Sequence, residues 1–416
     1  MHKRAPTISG QATRTKISMR LYYSVVDPFP AYRADVAELF AVELPKLGLH
    51  TEWFMASPNE QVGTADHFAT QVIHLPWRVK KSSGLLRKLA YWLADARHLL
   101  GVSAQRIDAV QCRDKYWGSL VGLAVARMKG LPFFYWCSYP FPEHDAISAN
   151  QEAGIRRLLG RVKSAVRFAL LYKWICPRAD HVFVQSESMK SDMHGYGVPF
   201  DKMTPVPMGV SARVFDWVKT NKVQIVPGRV VYLGTLAAVR KLDMLLDAFK
   251  AVKNAVPGAQ LMFVGDGDVP AERQALSDKA RAMGLENDVV FTGFVPMAEA
   301  WRLSASAAVC LSPFYPTPIL ASTSPTKLVE YLALGRPVVC NNHPEQSQII
   351  KESGAGLCVK WSAPAFANAI VRLLRDPITA ESMAANGPAW VTRNRSYPII
   401  AKVVRDKYKT LMERAR

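Results

Sequence analysis

Long apolar segments are missing from this sequence. No run of about eighteen or more apolar residues, the length of a membrane-spanning helix, occurs among its 416 residues. Residues 1–20 carry basic side chains without an apolar core between them, and this pattern disfavours a secretory signal. We therefore expect neither a membrane span nor export, and we predict a cytoplasmic protein.

Closely spaced cysteines are also missing. The six cysteines are scattered, and no Cys-x-x-Cys pair occurs. Zinc sites and small disulfide scaffolds depend on such spacing. Because most of the cysteines lie in apolar stretches, we expect reduced, buried thiols and predict no metal site.

The sequence lacks two common glycine signatures for nucleotide phosphates. No P-loop ending in Gly-Lys-Ser or Gly-Lys-Thr occurs, and Gly265-x-Gly267 has Pro270 where a third glycine would stand. These absences exclude the standard P-loop and dinucleotide-binding fingerprints. We predict no cofactor.

Acidic residues are too few to balance the basic ones. The chain has 53 Lys and Arg against 34 Asp and Glu, a formal net charge of +19. Residues 78–178 hold 18 basic and 6 acidic residues, so much of the excess is local. One group of basic residues alternates with Trp, Tyr and Leu: Arg78, Lys80, Lys81, Arg87 and Lys88. A second group lies along the apolar helical pattern 155–175: Arg156, Arg157, Arg161, Lys163, Arg167 and Lys173.

This basic, aromatic region indicates an anionic partner. Basic amphipathic helices are attracted to anionic membranes, at about 1 kcal/mol per basic residue near the surface. We predict that residues 78–178 bind the inner face of the plasma membrane. Nucleic acid and a merely solvated basic face are the alternatives. No nucleic-acid-binding motif accompanies the charge, so we predict no nucleic-acid partner.

The length allows two domains of about 200 residues each, and strand-like apolar runs alternate with helical patterns in both halves. Short strands separated by amphipathic helices imply parallel sheets covered on both faces. The predicted fold class is α/β, with two doubly wound, Rossmann-like sheets facing across a cleft. Strands are predicted at 20–26, 50–55, 109–111, 133–137, 181–185, 229–232, 260–264, 289–291, 309–311, 337–340 and 356–359, and helices at 32–47, 85–100, 117–128, 155–175, 242–256, 271–283, 297–305, 327–333 and 363–375.

Composition also suggests where the domains divide. Residues 205–227 are rich in proline and then polar, so they form the most linker-like interior segment. We predict a flexible basic tail at 1–19, a first domain at 20–212 and a second at 213–392. Residues 393–416 are predicted to form a helix that crosses back to the first domain.

Residues 312–340 carry the strongest functional signal. They indicate a strand end, a loop, a helix with Ser324 as N-cap and Pro325 at its first position, and a buried strand. Helix N-termini favour phosphate, and Lys327 adds a positive charge in the first turn. Glu330 follows one turn later, where it can accept hydrogen bonds from sugar hydroxyls. The alternative is a capped surface helix with an i,i+3 Lys–Glu pair.

Glycines follow several of the predicted strands in the second half. Gly234, Gly265, Gly267 and Gly293 stand at three strand ends. Glycine lets backbone N–H groups approach a phosphate or a base without a side chain between them. These turns favour a ligand site at the carboxyl ends of the strands, in the cleft between the domains.

Taken in order, these segments resemble the retaining nucleotide-sugar glycosyltransferases of family 4, which have the GT-B fold. The matching segments are 182–190, the Val-Pro-Met-Gly-Val-Ser turn at 206–211 with Met208 in place of asparagine, 233–249, 263–267, 290–296 and 324–339. The resemblance covers most of the chain. It implies an acceptor-binding first domain and a second domain that binds a nucleotide diphosphate sugar.

The resemblance assigns the donor diphosphate to basic residues of the second domain. The family's Arg and Lys fall on Thr235 and Arg240, and Lys241 replaces the following glycine. We predict that Arg240 and Lys241 are catalytic, together with Lys327, because fixed cations stabilise charge that develops on a leaving group. As an alternative, Arg240 and Lys241 are ordinary charges at a helix N-terminus.

The same comparison predicts the remaining donor contacts. The second glutamate of the family's Glu-x7-Glu pair matches Glu330, which implies binding of the donor ribose, whereas the first falls on Ser322, which is not a carboxylate. Backbone near Phe294 and Val295 is expected to contact the base. The predicted donor-binding residues are Gly234, Thr235, Gly265, Gly267, Phe294, Val295, Ser322, Ser324, Thr326, Lys327 and Glu330.

In the first domain the candidates lie after predicted strands. The histidine often found in the family falls on Ser138, and Glu143 and His144 follow in a loop as candidates for acceptor contact or proton transfer. Arg33, Arg113 and Tyr139 are predicted to contact the acceptor.

One metal-dependent alternative accompanies this assignment. Asp266-x-Asp268 matches the Asp-x-Asp with which some glycosyltransferases hold a divalent cation on the diphosphate. Because the predicted diphosphate site is basic, we expect no metal there.

The sequence therefore predicts a metal-independent, retaining hexosyltransferase. Its donor is a nucleotide diphosphate sugar, and its acceptor is a membrane-associated glycan, of which a polyprenyl-diphosphate-linked glycan in exopolysaccharide or lipopolysaccharide synthesis is the best fit. A catalytically silent nucleotide-sugar-binding module is the alternative, because Thr235 and Ser322 depart from the family pattern. A basic nucleic-acid-binding protein ranks third.

Overall fold

The computed structural model describes residues 18–31, 33–56, 68, 71–76 and 84–415. The predicted basic tail, residues 1–19, lies outside the described residues except for its last two, and so do Arg78, Lys80 and Lys81. Within the described part, the chain forms two α/β domains, each built on a parallel sheet. This architecture confirms the predicted fold class.

Seven strands form the sheet of the N-terminal domain: β1 Met19–Pro28, β2 Leu49–Ala56, β3 Val72–His74, β4 Ala109–Arg113, β5 Phe133–Cys137, β6 His181–Val184 and β7 Met203–Pro205. Their order is β3-β2-β1-β4-β5-β6-β7, with parallel pairing throughout. Tyr22 and Tyr23, successive residues of β1, enter two different apolar clusters. The sheet is therefore packed on both faces, as its apolar strands require.

The helices of this domain cover those two faces. One correction concerns Glu143 and His144, which were expected to lie in a loop and instead lie in a helix, Phe141–Gln151, with Pro142 in its first turn. The helices are a π-helical segment Asp35–Glu43 with α1 Leu44–Lys46, α2 Gly84–Leu100, α3 Trp117–Met128, α4 Phe141–Gln151, α5 Gly154–Phe168 with a π-helical continuation Ala169–Ile175 and α6 Cys176–Arg178, α7 Glu187–Gly195 and a 3-10 turn Phe200–Lys202.

Six parallel strands form the sheet of the C-terminal domain: β8 Arg229–Leu233, β9 Gln260–Val264, β10 Val289–Phe291, β11 Val309–Ser312, β12 Val338–Asn341 and β13 Gly356–Val359. Their order is β10-β9-β8-β11-β12-β13. Its helical segments are α8 Ala212–Thr220, a 3-10 turn Ala238–Arg240, α9 Asp243–Ala255, α10 Pro270–Ala282, α11 Met297–Ala305, α12 Pro318–Ala321, α13 Thr326–Ala333, α14 Pro344–Ser353, α15 Ala363–Arg375 and α16 Pro377–Asn394. The chain continues into α17, Tyr397–Ala415.

The segment between the sheets is more ordered than its composition suggested. Residues 205–227 were predicted as a linker, yet they contain α8, whose first turn is capped by Ser211 accepting from the Arg213 N–H at 3.2 Å. Val214 is buried in a cluster with the C-terminal domain, and Phe215 packs against that cluster. The apolar face of α8 therefore ties this segment to the second domain.

The last helix, α17, packs against the N-terminal domain. Ala401, Val404, Tyr408 and Met412 of α17 are buried in an apolar cluster with the N-terminal strands. The Tyr408 hydroxyl donates to the Gln111 side chain in β4. No helix within the described residues is long and apolar enough to cross a bilayer.

Candidate functional site

The carboxyl ends of both parallel sheets carry the polar side chains singled out in the sequence. In the C-terminal domain the loop after β11 leads through α12 to α13. Ser324 does not cap α13, because its hydroxyl donates to Glu345 Oε1 at 2.9 Å and accepts from the Met208 N–H at 3.0 Å. The helix instead starts at Thr326, with no side-chain cap at Pro325. The prediction that Ser324 is the N-cap was therefore wrong, and the N-terminus of α13 is left without a side-chain acceptor.

Lys327 lies in the first turn of this uncapped helix. Its Nζ is 5.5 Å from the centroid of the Tyr232 ring, and its stem passes over Gly234, where a Cβ would overlap Lys327 Cε. Gly234 has φ 139°, which a residue with a side chain rarely adopts. Glycine at the end of β8 therefore makes the room that Lys327 occupies.

The ion pair between Lys327 and Glu330, which the structural alternative predicted, is not formed. Among the described residues, neither Lys327 nor Glu330 has an ion-pair partner within 4.0 Å. Burial lowers the pKa of Lys327 well below its usual value, and the charge of Arg240 lowers it further. An anionic ligand would stabilise the charged form of Lys327, since Arg240 opposes that charge and the Glu330 carboxylate is not within ion-pair distance.

Glu330 lies one turn further along α13. Burial raises the pKa of Glu330 to about 7, although the charge of Lys327 acts in the opposite direction. At neutral pH both protonation states are therefore populated. The ionised carboxylate accepts hydrogen bonds, as binding of ribose hydroxyls would require.

This raised pKa predicts a pH dependence of stability. The folded protein holds the Glu330 proton more tightly than the unfolded chain does, so its contribution to the free energy of unfolding falls as pH rises from 4.5 to about 7. The expected loss is up to about 3 kcal/mol, and it levels off above that range. Thermal unfolding of the ligand-free protein at pH 5 and pH 8 measures it. Glu330→Gln should lose less stability than the wild type over this interval, and equal losses would contradict the assignment.

Arg240 approaches the same place from the turn after β8. Its Nε donates to Thr235 Oγ1 at 2.8 Å, so the threonine that replaces the family's arginine orients the neighbouring cation. The positive charge of Arg240 also acts on the Tyr139 hydroxyl of the other domain. Lys241 is exposed, with a left-handed φ of 51°. Arg240 and Lys327 thus lie close together in the cleft.

The other glycine turns border this cleft. Gly265 has φ 132° and its N–H donates to the Gly293 carbonyl at 3.2 Å. Phe294 is 87% exposed and Val295 is half-buried, so the Phe294 ring is available to a ligand. A side chain at Gly267 would crowd the Val269 carbonyl. The first aspartate of the Asp-x-Asp motif, Asp266, forms an ion pair with Arg273 at 3.0 Å.

The acceptor candidates of the N-terminal domain divide into two groups. Arg113 is fully buried: its Nη1 is 2.5 Å from Asp35 Oδ2 and its Nε is 3.3 Å from Asp27 Oδ2. This enclosure is inconsistent with direct acceptor contact, and Arg113 instead fixes the segment between β1 and the first helix. Arg33 remains partly exposed, with its Nε 3.9 Å from Asp35.

Tyr139 and His144 lie together at the start of α4. The Tyr139 hydroxyl and His144 Nδ1 are 3.2 Å apart, and His144 is exposed. Glu143 points elsewhere and accepts the Tyr172 hydroxyl at 2.9 Å. Burial raises the pKa of Glu143. The structure therefore brings Tyr139 and His144 to the cleft and places Glu143 in an adjoining cavity.

Sequence reasoning missed several polar residues of this region. Asp192 accepts a hydrogen bond from Ser322 of the other domain, and the Tyr331 hydroxyl accepts from the Leu233 N–H at 2.6 Å. Glu345 pairs with Arg395 at 3.1 Å. No spacing signal links residues so distant in the chain, since Asp192 and Ser322 are 130 positions apart.

Comparison with known proteins gives two matching family models. One, described as Glycosyl transferases group 1, matches residues 227–376. The other, described as Glycosyl transferase 4-like domain, matches residues 34–209. The two matches cover most of both domains and leave β1, α8 and the last two helices outside.

Curated relatives match part of the chain. A GDP-mannose-dependent alpha-(1-6)-phosphatidylinositol monomannoside mannosyltransferase of Mycobacterium tuberculosis is 29% identical over 180 residues, 42% of this chain and 46% of the relative. The amylovoran biosynthesis glycosyltransferase AmsK of Erwinia amylovora is 26% identical over 184 residues, 42% of this chain and 43% of the relative. The chain thus spans less than half the length of these relatives.

Solved structures match nearly the whole chain. HepE of Anabaena in complex with UDP superposes with a TM-score of 0.68 at 15% identity, covering 94% of this chain and all of that one. WaaG, a glycosyltransferase involved in lipopolysaccharide biosynthesis, gives a TM-score of 0.66 at 15% identity, covering 93% of this chain and 99% of its own. At this identity the likeness shows the shared GT-B fold.

Proposed function

The chain belongs to the group 1, family 4-like glycosyltransferases, and from that premise we propose that it transfers a hexose-type sugar, with retention, from a nucleotide diphosphate sugar to a membrane-associated glycan. Binding of the donor, the first half of this proposal, rests on one observation: Lys327 and Arg240 lie together at the uncapped N-terminus of α13. A diphosphate supplies the negative charge that this pair lacks.

The chemistry of the donor half follows from that charge. When the sugar leaves, negative charge grows on the terminal phosphate of the nucleotide. Lys327 and Arg240 stand where this charge appears, with Lys241 beside them, and cations fixed before the reaction stabilise it without reorganisation. Glu330 binds the ribose hydroxyls, and the exposed Phe294 ring lies beside the base.

The acceptor half is supported by the surface of α5. Five apolar residues on one face of this helix are exposed: Ile155, Leu158, Leu159, Val162 and Val166. Exposed Arg156, Arg157 and Arg161 flank this stripe, and none of the three has an ion-pair partner among the described residues. An apolar stripe between basic residues suits the boundary of an anionic bilayer.

A second helix presents the same combination. Leu86, Leu89, Trp92 and Leu93 of α2 are 46 to 63% exposed, and Arg87 and Lys88 are exposed beside them. Membrane contact through both helices would hold the protein at the inner face of the plasma membrane. A polyprenyl-diphosphate-linked acceptor in surface polysaccharide synthesis would then reach the cleft from the bilayer, and the names of the mannosyltransferase and AmsK relatives fit such a role.

A panel of nucleoside diphosphates tests the donor half. A nucleotide present at 100 times its dissociation constant should stabilise the protein by about 2.7 kcal/mol, measured as a rise in melting temperature. We expect one of UDP, GDP and ADP to give this rise, and the matching nucleoside without phosphates to give little. Absence of any shift with all three would contradict the proposal. A shift without sugar transfer in any assay would leave the silent binding module as the function.

A further inference from the structure

A small cavity lies where the two domains meet, beside the candidate donor site. Its volume is about 60 Å³, and Glu143, Tyr172, Asp192, Tyr196, Ile319 and Ser322 contribute to its lining. Pro140 also lines it, next in the chain to Tyr139, on which the charge of Arg240 acts. Ile319 and Ser322 belong to the segment that leads into α13, so the cavity adjoins the loop before the helix that carries Lys327.

Ser322 joins the two walls of this cavity. It is only 3% exposed, its hydroxyl donates to Asp192 Oδ2, and its carbonyl accepts the Ser186 hydroxyl at 2.6 Å. Asp192 and Ser186 belong to the N-terminal domain, and Ser322 belongs to the loop before α13. The Asp192 carboxylate of the N-terminal domain is thus held against the loop before α13. It supplies a negative charge beside Ser322, whose own side chain cannot ionise.

Asp192 retains acceptor capacity after this contact. It is exposed, and an ionised carboxylate accepts about four hydrogen bonds in all. Glu143 is less exposed than Asp192, and the Tyr172 hydroxyl donates between its two oxygens, at 2.9 and 3.1 Å. Asp192 is therefore the more accessible carboxylate of the cavity, and Glu143 with Tyr172 lines another part of its wall.

We propose that Asp192 is a sugar-binding residue, which accepts hydrogen bonds from hydroxyl groups of the transferred sugar and is positioned by Ser322. This inference rests on the proposed function and adds the sugar subsite to it. The N-terminal domain then completes the donor site, since the carboxylate at this point comes from α7 and not from the loop before α13.

The size and charge of the cavity define the class of sugar. One water needs roughly 10–15 Å³ of cavity volume, so a cavity of about 60 Å³ accepts a hydroxyl-bearing edge of a sugar and not a whole ring. Ile319 and the tyrosine rings supply apolar surface for its C–H groups. Asp192 and Glu143 together disfavour a second carboxylate. The expected substrate is an uncharged sugar, and nucleotide-linked uronic acids should bind more weakly.

The Asp192→Asn variant tests this assignment through two binding measurements. Isothermal titration of the whole protein with a nucleoside diphosphate, and with the corresponding nucleotide sugar, separates the sugar contacts from the phosphate contacts. Loss of a hydrogen bond to a charged group costs roughly 10- to 100-fold in affinity. We expect Asp192→Asn to weaken binding of the nucleotide sugar by this factor and to leave binding of the nucleoside diphosphate unchanged. Asp201→Asn, an exposed carboxylate of the same domain outside the cavity, is the matched control.

A charge relocation separates sugar contact from a structural role. In Asp192→Ser with Ser322→Glu, the carboxylate moves to the other side of the same contact. We expect this double variant to bind the nucleotide sugar at least tenfold more tightly than Asp192→Asn does. We also expect Asp192→Asn to bind nucleotide-linked uronic acids more tightly than the wild type does.

Three results would overturn the inference: equal nucleotide-sugar affinity of wild type and Asp192→Asn, a parallel loss of nucleoside diphosphate binding, or no recovery in the double variant. Failure of the proposed function has a different signature, because the wild-type protein itself would then bind neither ligand.

Discussion

Replacing Lys327 with alanine is expected to lower kcat/KM for sugar transfer roughly 100- to 1000-fold. Removal of one preorganised electrostatic contact to developing charge has an effect of this size. Lys327 lies over Gly234 in the uncapped first turn of α13 and has no carboxylate partner within 4.0 Å among the described residues. Its charge is therefore available to the diphosphate, and steady-state kinetics with the identified donor measures the loss.

Lys351→Ala is the matched control for this variant. Lys351 is an exposed residue of α14 in the same domain, so its loss removes the same charge away from the cleft. We expect its kinetics to match the wild type. A Lys327→Ala enzyme with kcat/KM within a few-fold of the wild type would show that Lys327 does not act on the diphosphate.

Neutralising the basic edge of α5 is expected to detach the protein from anionic membranes. Changing Arg156, Arg157 and Arg161 to glutamine removes three charges that together contribute about 3 kcal/mol, or roughly a hundredfold in binding. The apolar stripe is unchanged by this substitution. Co-sedimentation with vesicles containing phosphatidylglycerol, compared with neutral vesicles, measures the difference.

A second triple variant controls for total charge. Lys222, Lys351 and Lys402 are exposed residues outside α2 and α5, and their change to glutamine lowers the net charge equally. We expect it to alter vesicle binding little, because the attraction falls off within about a Debye length of the surface. Equal losses in the two triple variants would mean that only net charge matters and that α5 is not the membrane-binding surface.

The fold was predictable because its strands are buried on both faces. A continuous apolar run such as β5 is buried throughout, and sequences of this kind indicate parallel sheets without further information. The strands that were missed, β3 and β7, have three residues each and lie at the two edges of the sheet. Edge strands this short leave almost no periodic signal.

The proximity of candidate site residues was predictable where they are close in sequence. Lys327 and Glu330 share one helix, and Arg240 and Thr235 share one turn, so local motifs placed them correctly relative to each other. Contacts between distant residues carry no such signal. Ser324 was expected to cap its own helix, but it binds Glu345 and Met208. Arg113 was expected to face an acceptor, but three neighbouring carboxylates hold it inside the domain.

The helix at residues 141–151 illustrates a further limit of local reasoning. Its first turn contains Pro142 and its interior contains Asn150 and Ser148, a composition that resembles a loop. Packing against α5 stabilises it, with Ser164 donating to the Pro142 carbonyl at 2.8 Å. Tertiary contacts therefore override the weak helical propensity of the segment.

The central claim is nucleotide-sugar-dependent transfer, and one assay tests it most directly. Purified protein is incubated with UDP-, GDP- and ADP-linked hexoses in the presence and absence of a polyprenyl-diphosphate-linked glycan, and release of the nucleoside diphosphate is measured together with the glycosylated lipid. The account predicts release that depends on the acceptor, with one nucleotide preferred and product formed in equal amount. Neither release nor product with any of the donors, from a protein that also fails to bind the nucleotides, would contradict it.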